Sequence, residues 1–96
     1  MELELIKLRN GTALGLKLEL GNAPLLIIKA LKGYAMCGYL NMDVANKLGD
    51  VAVVVKGVKN FEEMLSAKVS LVSEGAKKLG ISEGMLCEEA LEKMQV

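Results

Sequence analysis

The sequence predicts an α+β fold: a mixed or antiparallel five-stranded sheet, with four strands in a β-meander followed by α-β-α-α-α, the helices packed on one face. Three observations carry this expectation. Apolar and polar residues alternate with a period of two through the first twenty residues. Three later runs, Leu25-Leu26-Ile27-Ile28, Tyr34 to Leu40 and Val51 to Val55, are uncharged and apolar, as strands buried on both faces should be. Helical spacing with recognisable caps begins only after residue 41.

The elements follow in order. Leu3 and Leu5 alternate with Glu2 and Glu4, the phase slips at Leu5-Ile6, and alternation resumes to Leu8, which predicts a strand carrying a bulge. Asn10-Gly11 predicts a type I′ turn, because that dipeptide accepts positive φ at low cost. The second strand, Leu14 to Leu20, alternates strictly and gives the hairpin one apolar face. Gly21-Asn22-Ala23-Pro24 is turn chemistry. A third strand over Leu25 to Ala30 and a fourth over Tyr34 to Leu40 flank the break at Lys32-Gly33.

Asn41 is placed to cap a helix over Met42 to Leu48, with Gly49 as its stop. The fifth strand covers Val51 to Lys56. Its direction relative to the fourth is open, because ten residues of connection stand at the lower limit for a parallel crossover. Asn60 with Glu63 three residues on resembles a capping box ahead of Met64 and Leu65. A helix is expected from Ser70 to Leu79, with Val69, Val72, Ala76 and Leu79 on one face and Gly80-Ile81 ending it. The last helix, Leu86 to Met94, presents Cys87, Ala90, Leu91 and Met94 inward.

Composition narrows the function classes. Residues 1–96 make a single domain whose folded surface should be roughly 5,400 Å². Twelve basic residues balance twelve acidic ones, and both signs are scattered along the chain, so nucleic acid and anionic membranes are not expected partners. No apolar run approaches the length of a membrane span and the first residues are acidic, which predicts a cytoplasmic protein. Histidine is absent and Cys37 and Cys87 stand fifty residues apart, so no metal site, cofactor or disulfide framework is expected. The doubly apolar strands outrun what short helices can cover, and a homo-oligomer is the expected remedy.

The blocks Lys32-Gly33-Tyr34-Ala35-Met36-Cys37-Gly38-Tyr39-Leu40, Gly57 to Leu65, and Leu79-Gly80-Ile81 with Gly84-Met85 and Glu89 to Met94 resemble the YunC-like family of bacterial and archaeal proteins. The resemblance extends over nearly the whole chain, and Met36-Cys37-Gly38 is its most specific element. It implies a small α+β protein of unassigned activity, with no catalytic residues to carry over.

Chemistry centres on Cys37. It precedes the helix capped by Asn41, and helix starts lower thiol pKa values and attract anions. Cys37 is therefore the candidate catalytic residue, and Gly38, Tyr39 and Asn41 are the candidate ligand-binding residues. Burial is nevertheless the commoner fate of a free cysteine, and no histidine is present to act as base. Gly38 and Gly57 are expected at strand ends, where a mixed sheet presents a crevice, although a bulge and a turn would explain them equally well. Gly33 and Gly38 share the glycine spacing of a phosphate loop, but Tyr39-Leu40 stands where Lys and Ser or Thr are needed. The expected function is that of a self-associating binding or interaction protein with a small-molecule or protein ligand. The alternative is a cysteine-dependent enzyme or thiol redox sensor using Cys37.

Overall fold

The computed structural model describes residues 1–96. Six strands lie in one sheet in strict sequence order: β1 (Glu2–Leu8), β2 (Gly11–Glu19), β3 (Pro24–Lys29), β4 (Tyr34–Met36), β5 (Ala52–Val54) and β6 (Leu71–Val72). Helices α1 (Met42–Leu48), α2 (Phe61–Ser66), α3 (Glu74–Lys77) and α4 (Cys87–Lys93) fill the connections and the end of the chain. The α+β class and the four-strand meander are as the sequence predicts, and the sheet has six strands rather than five. The open direction of the fifth strand resolves as parallel: Tyr34 pairs with Ala52, Ala35 with Val53 and Met36 with Val54.

The sixth strand replaces the first part of the helix expected over Ser70 to Leu79. Val72 pairs with Val53 and Leu71 with Val54, while the Ser70 and Ser73 amides donate to the Val54 and Ala52 carbonyls. The three-residue spacing of Val69 and Val72 fits a helix as well as a kinked strand. The exposed ladder of β5 decides the matter by offering hydrogen-bond partners that a free helix end would lack. Helix α3 is left with one turn, capped by Ser73 rather than begun at Ser70. Its expected ending is present: Gly80 has φ of 86°, and Ile81 is buried with its amide on the Ala76 carbonyl.

The hairpin corrects two local expectations. β1 and β2 pair without interruption from Glu2 with Lys17 to Leu8 with Gly11, so there is no bulge. The phase slip marks a change in which face is covered: Leu3 and Leu5 face outward, and Ile6 and Leu8 face the core. The loop residues are Arg9 and Asn10, neither with positive φ, so the turn is not type I′. Gly11 alone is positive, at 153°. Leu14 and Leu18 of β2 also face outward. The core side carries Ala13 and Gly15, where a Cβ on Gly15 would stand 2.8 Å from the Phe61 ring. The small residue lets α2 lie directly against the hairpin.

The main core sits on one face of the sheet. Ile6, Leu8, Leu26, Ile28, Ala35, Val53, Val55 and Val72 meet Phe61 and Met64 of α2, Ala76 of α3, and Cys87, Ala90 and Leu91 of α4, followed by Met94. Helix α1 is the exception to one-sided packing. Its Ala45 is buried outside this cluster, as are Ala52 and Val54, whose register places them on the opposite face from Val53 and Val55. The outer face is thus closed at β5. Across β1 and β2 it is open, with Leu3, Leu5, Leu14 and Leu18 exposed. The total accessible surface of 5545 Å² matches the area expected of a folded chain of this mass.

Candidate functional site

Because β4 and β5 are parallel and in register, both release the chain at the same end of the sheet. The antiparallel β3 enters from that end, so its first residues lie alongside. Three stretches therefore converge: Ala23-Pro24, Cys37-Gly38-Tyr39 and Gly57-Val58. They line a cleft of about 280 Å³. Ala23, Pro24, Gly57 and Val58 also line an adjoining lobe of about 320 Å³, whose far wall is Lys17, Glu19, Asn22 and Lys59. The two lobes form one groove beyond the carboxyl ends of adjacent parallel strands, the place where α/β sheets commonly receive ligands.

Cys37 forms the floor. The strand expected to run to Leu40 stops at Met36, and the Leu40 amide closes a turn onto the Cys37 carbonyl at 3.2 Å. Cys37 still keeps its ladder bond to the Leu26 carbonyl. Its side chain points to the core side, 6% exposed, accepting from the Leu26 amide at 3.4 Å, with the Pro24 carbonyl at 3.9 Å as the thiol's acceptor. The turn carries Tyr39 out of the sheet, so that it is half exposed and its hydroxyl donates to the Ala23 carbonyl at 3.4 Å. That bond joins two of the three stretches that line the smaller lobe. Tyr34 lies at the opposite end of β4 and takes no part.

Of the four candidate residues, Cys37, Gly38 and Tyr39 come together and Asn41 does not. The Asn41 carboxamide oxygen accepts from the Asp43 and Val44 amides at 3.0 and 3.3 Å, which occupies the donors an anion would use. Helix α1 has seven residues, so its start offers little further attraction. Gly57 was legible in advance as a strand-end glycine, and its φ of 73° explains the residue. Lys17, Lys59, Pro24 and Val58 were not anticipated, because nothing in a linear spacing shows that β2, β3 and the loop after β5 share one end of the sheet.

The groove is rich in donors. The amides of Gly38, Tyr39, Gly57 and Val58 donate to no protein acceptor. Glu19 is its one acidic residue and lies 3.6 Å from the Lys17 ammonium, leaving Lys59 as an unpaired cation on the rim. No group of three or more His, Cys, Asp or Glu side chains is placed to hold a metal ion. A larger crevice of about 380 Å³ lies at the other end of the hairpin, bounded by Leu5, Leu14, Leu31 and Gln95. It adjoins the open apolar face through Leu5 and Leu14, and its polar side chains Asn10, Lys29 and Gln95 are engaged by backbone groups.

Cys87 is a packing residue. It is fully buried in the core, and burial, then the neighbouring Glu88 carboxylate, pushes its thiol up to about 12. A thiol held protonated in this way is a poor nucleophile.

Comparison with known proteins returns relatives of equally unassigned activity. A crystal structure of a protein of unknown function, TA1206 from Thermoplasma acidophilum, superposes with a TM-score of 0.93 at 48% identity, covering 97% of this chain and 91% of that one. An uncharacterized protein, YunC of Bacillus subtilis (strain 168), is 39% identical over 66 residues. The matched stretch spans 65% of this chain and 65% of that protein's length. The family model described as a domain of unknown function, DUF1805, matches residues 36–94, from the Met36-Cys37-Gly38 element to the end of α4. The chain belongs to that YunC-like family.

Proposed function

We propose that the chain is a non-catalytic, self-associating protein in which two copies meet across the open part of the outer sheet face. The observation that carries this reading is the exposure of Leu3, Leu5, Leu14 and Leu18, at 60, 75, 44 and 36%. They are neighbours in the sheet: Leu5 pairs with Leu14, Leu3 with Leu16, and Leu16 and Leu18 with Ile27 and Leu25. An uninterrupted apolar surface of this kind costs solubility in a monomer, and a two-fold axis through it buries like against like. The formal net charge of zero leaves no overall repulsion between copies.

Size-exclusion chromatography with light scattering tests it. The unmodified protein should run as a dimer or a larger closed oligomer, and Leu5→Glu or Leu14→Glu should shift it to a folded monomer, since neither side chain belongs to the core. A soluble monomer at high concentration would overturn the proposal. Val54, though on the same face, is unsuitable for this test because it is buried within the single chain.

The second reading is a cysteine-dependent enzyme or redox sensor, favoured by the position of Cys37 at the cleft floor beside Gly38 and Tyr39. Against it stand the burial of the thiol and the absence of any histidine. Rapid alkylation of Cys37 by iodoacetamide in the native protein, mapped by mass spectrometry, would reverse the preference. Both cysteines are free thiols, in keeping with a reducing cytoplasm as its compartment. No helix is long and apolar enough to cross a membrane.

A further inference from the structure

We infer that the groove between Pro24, Cys37 and Gly57 binds a short-chain organic acid, with its carboxylate on the loop amides and Lys59 and its apolar end against Pro24 and Val58. This does not depend on self-association, since every lining residue comes from one chain and none belongs to the open apolar face.

The ligand class follows from the donor balance. Four of the lining residues, Gly38, Tyr39, Gly57 and Val58, have backbone amides without a protein acceptor. Successive amides around a left-handed residue, here Gly57 at φ of 73°, form a concavity that suits an anion. Lys59 adds a full charge free of any salt bridge, whereas Glu19 is engaged by Lys17 at 3.6 Å. A cation would find a single carboxylate, already paired with Lys17, and a wholly apolar molecule would strand the amides away from water. The remaining lining of Ala23, Pro24 and Val58 offers an apolar wall on one side only, enough for a short tail. With Gly38 in the wall nothing lies within 4 Å of where a Cβ would be, so the backbone there is open to close approach.

The test uses the intact chain labelled with ¹⁵N, with butyrate as probe and butyramide as its uncharged counterpart. Butyrate should shift the amide signals of Gly38, Gly57 and Val58 saturably. Butyramide should shift them weakly or not at all. Lys59→Gln should weaken butyrate binding about threefold, the size expected for a rim charge, and Lys59→Arg should restore it. Lys59 is exposed and its loss does not touch the core. Inorganic phosphate that competes with butyrate for the same signals would support anion recognition by these amides. Phosphate binding without butyrate binding would overturn the carboxylate assignment. Equal responses to butyrate and butyramide, or no saturable response at these amides, would overturn the inference itself.

Discussion

The Tyr34 hydroxyl donates to the Asp50 carboxylate across 2.6 Å, joining the first residue of β4 to the loop that enters β5. The Tyr34 amide on the Val51 carbonyl at 3.0 Å ties the same two stretches a second time. Two parallel strands separated by a helix have no hairpin to set their register, and this pair of bonds supplies the reference point.

Tyr34→Phe should therefore destabilise the fold by about 1–2 kcal/mol, by leaving a partly buried carboxylate short of a donor. Chemical denaturation measures it, and an unchanged midpoint would show the bond to be idle.

Alkaline pH probes the same residue and Cys87. Burial, then the hydrogen bond to Asp50 and its charge, pushes the Tyr34 phenol from 10.0 up to about 12. The Cys87 thiol moves from 9.0 to about 12. Both groups are raised in the folded state, so their stabilising contribution is complete below the unfolded values of 9.0 and 10.0 and is lost as pH climbs toward 12. Thermal melts should fall progressively above pH 9. Cys87→Ala should cost about 1 kcal/mol at neutral pH through a small cavity and should abolish the earliest part of the alkaline decline. A melting temperature flat to pH 11 would count against both assignments.

Ser73 is the only fully buried polar residue, and its hydroxyl makes three bonds. It accepts from the Ala52 amide at 2.9 Å and the Ala76 amide at 3.2 Å, and donates to the Asp50 carbonyl at 2.8 Å. One oxygen thus caps α3 and fastens the start of β5. Ser73→Ala should cost about 2–3 kcal/mol, more than an ordinary cap. A loss below ~1 kcal/mol in urea titration would mean that water replaces the hydroxyl freely.

Gly33 has no room for a side chain. A Cβ there would collide with the Val51 carbonyl oxygen and stand 2.6 Å from Val51 Cγ1. Gly33→Ala should destabilise by about 2 kcal/mol or more through displacement of the loop before β5. Calorimetry on the single variant decides it, and a melting temperature within a degree of the parent would show that the loop yields.

Much of this was legible from local pattern. Caps at Asn41 and Asn60, the left-handed stops at Gly49 and Gly80 and the inner stripe of α4 all depend on neighbours within one turn, and all are present. The hairpin was legible as a pairing but not as an orientation. Leu14 and Leu18 look like core residues by hydropathy, yet Ala13 and Gly15 face the helices because Phe61 needs the space. Residues 70–73 were misread for the same reason, a local pattern overridden by the hydrogen-bonding demand of a distant strand. At the candidate site, Cys37, Gly38 and Tyr39 were found as one contiguous stretch. Pro24 and Lys59 required the sheet to exist first.

The strict sequence order of the six strands bears on how the chain is made. Each strand can add to the edge left by its predecessor, so sheet growth keeps pace with synthesis and every pairing joins consecutive strands. The exception is α4, which packs on β1, while at the hairpin loop and the start of β2 the Asn10 amide group donates to the Glu92 carbonyl and the Gln95 amide group, just past α4, donates to the Thr12 carbonyl. Ile6 and Leu8 are synthesised long before α4, so the part of their cover that α4 provides comes late. Until α4 emerges the core face of the hairpin is covered only in part, by α2, and ribosome-bound chains lacking α4 should be the form that recruits chaperones.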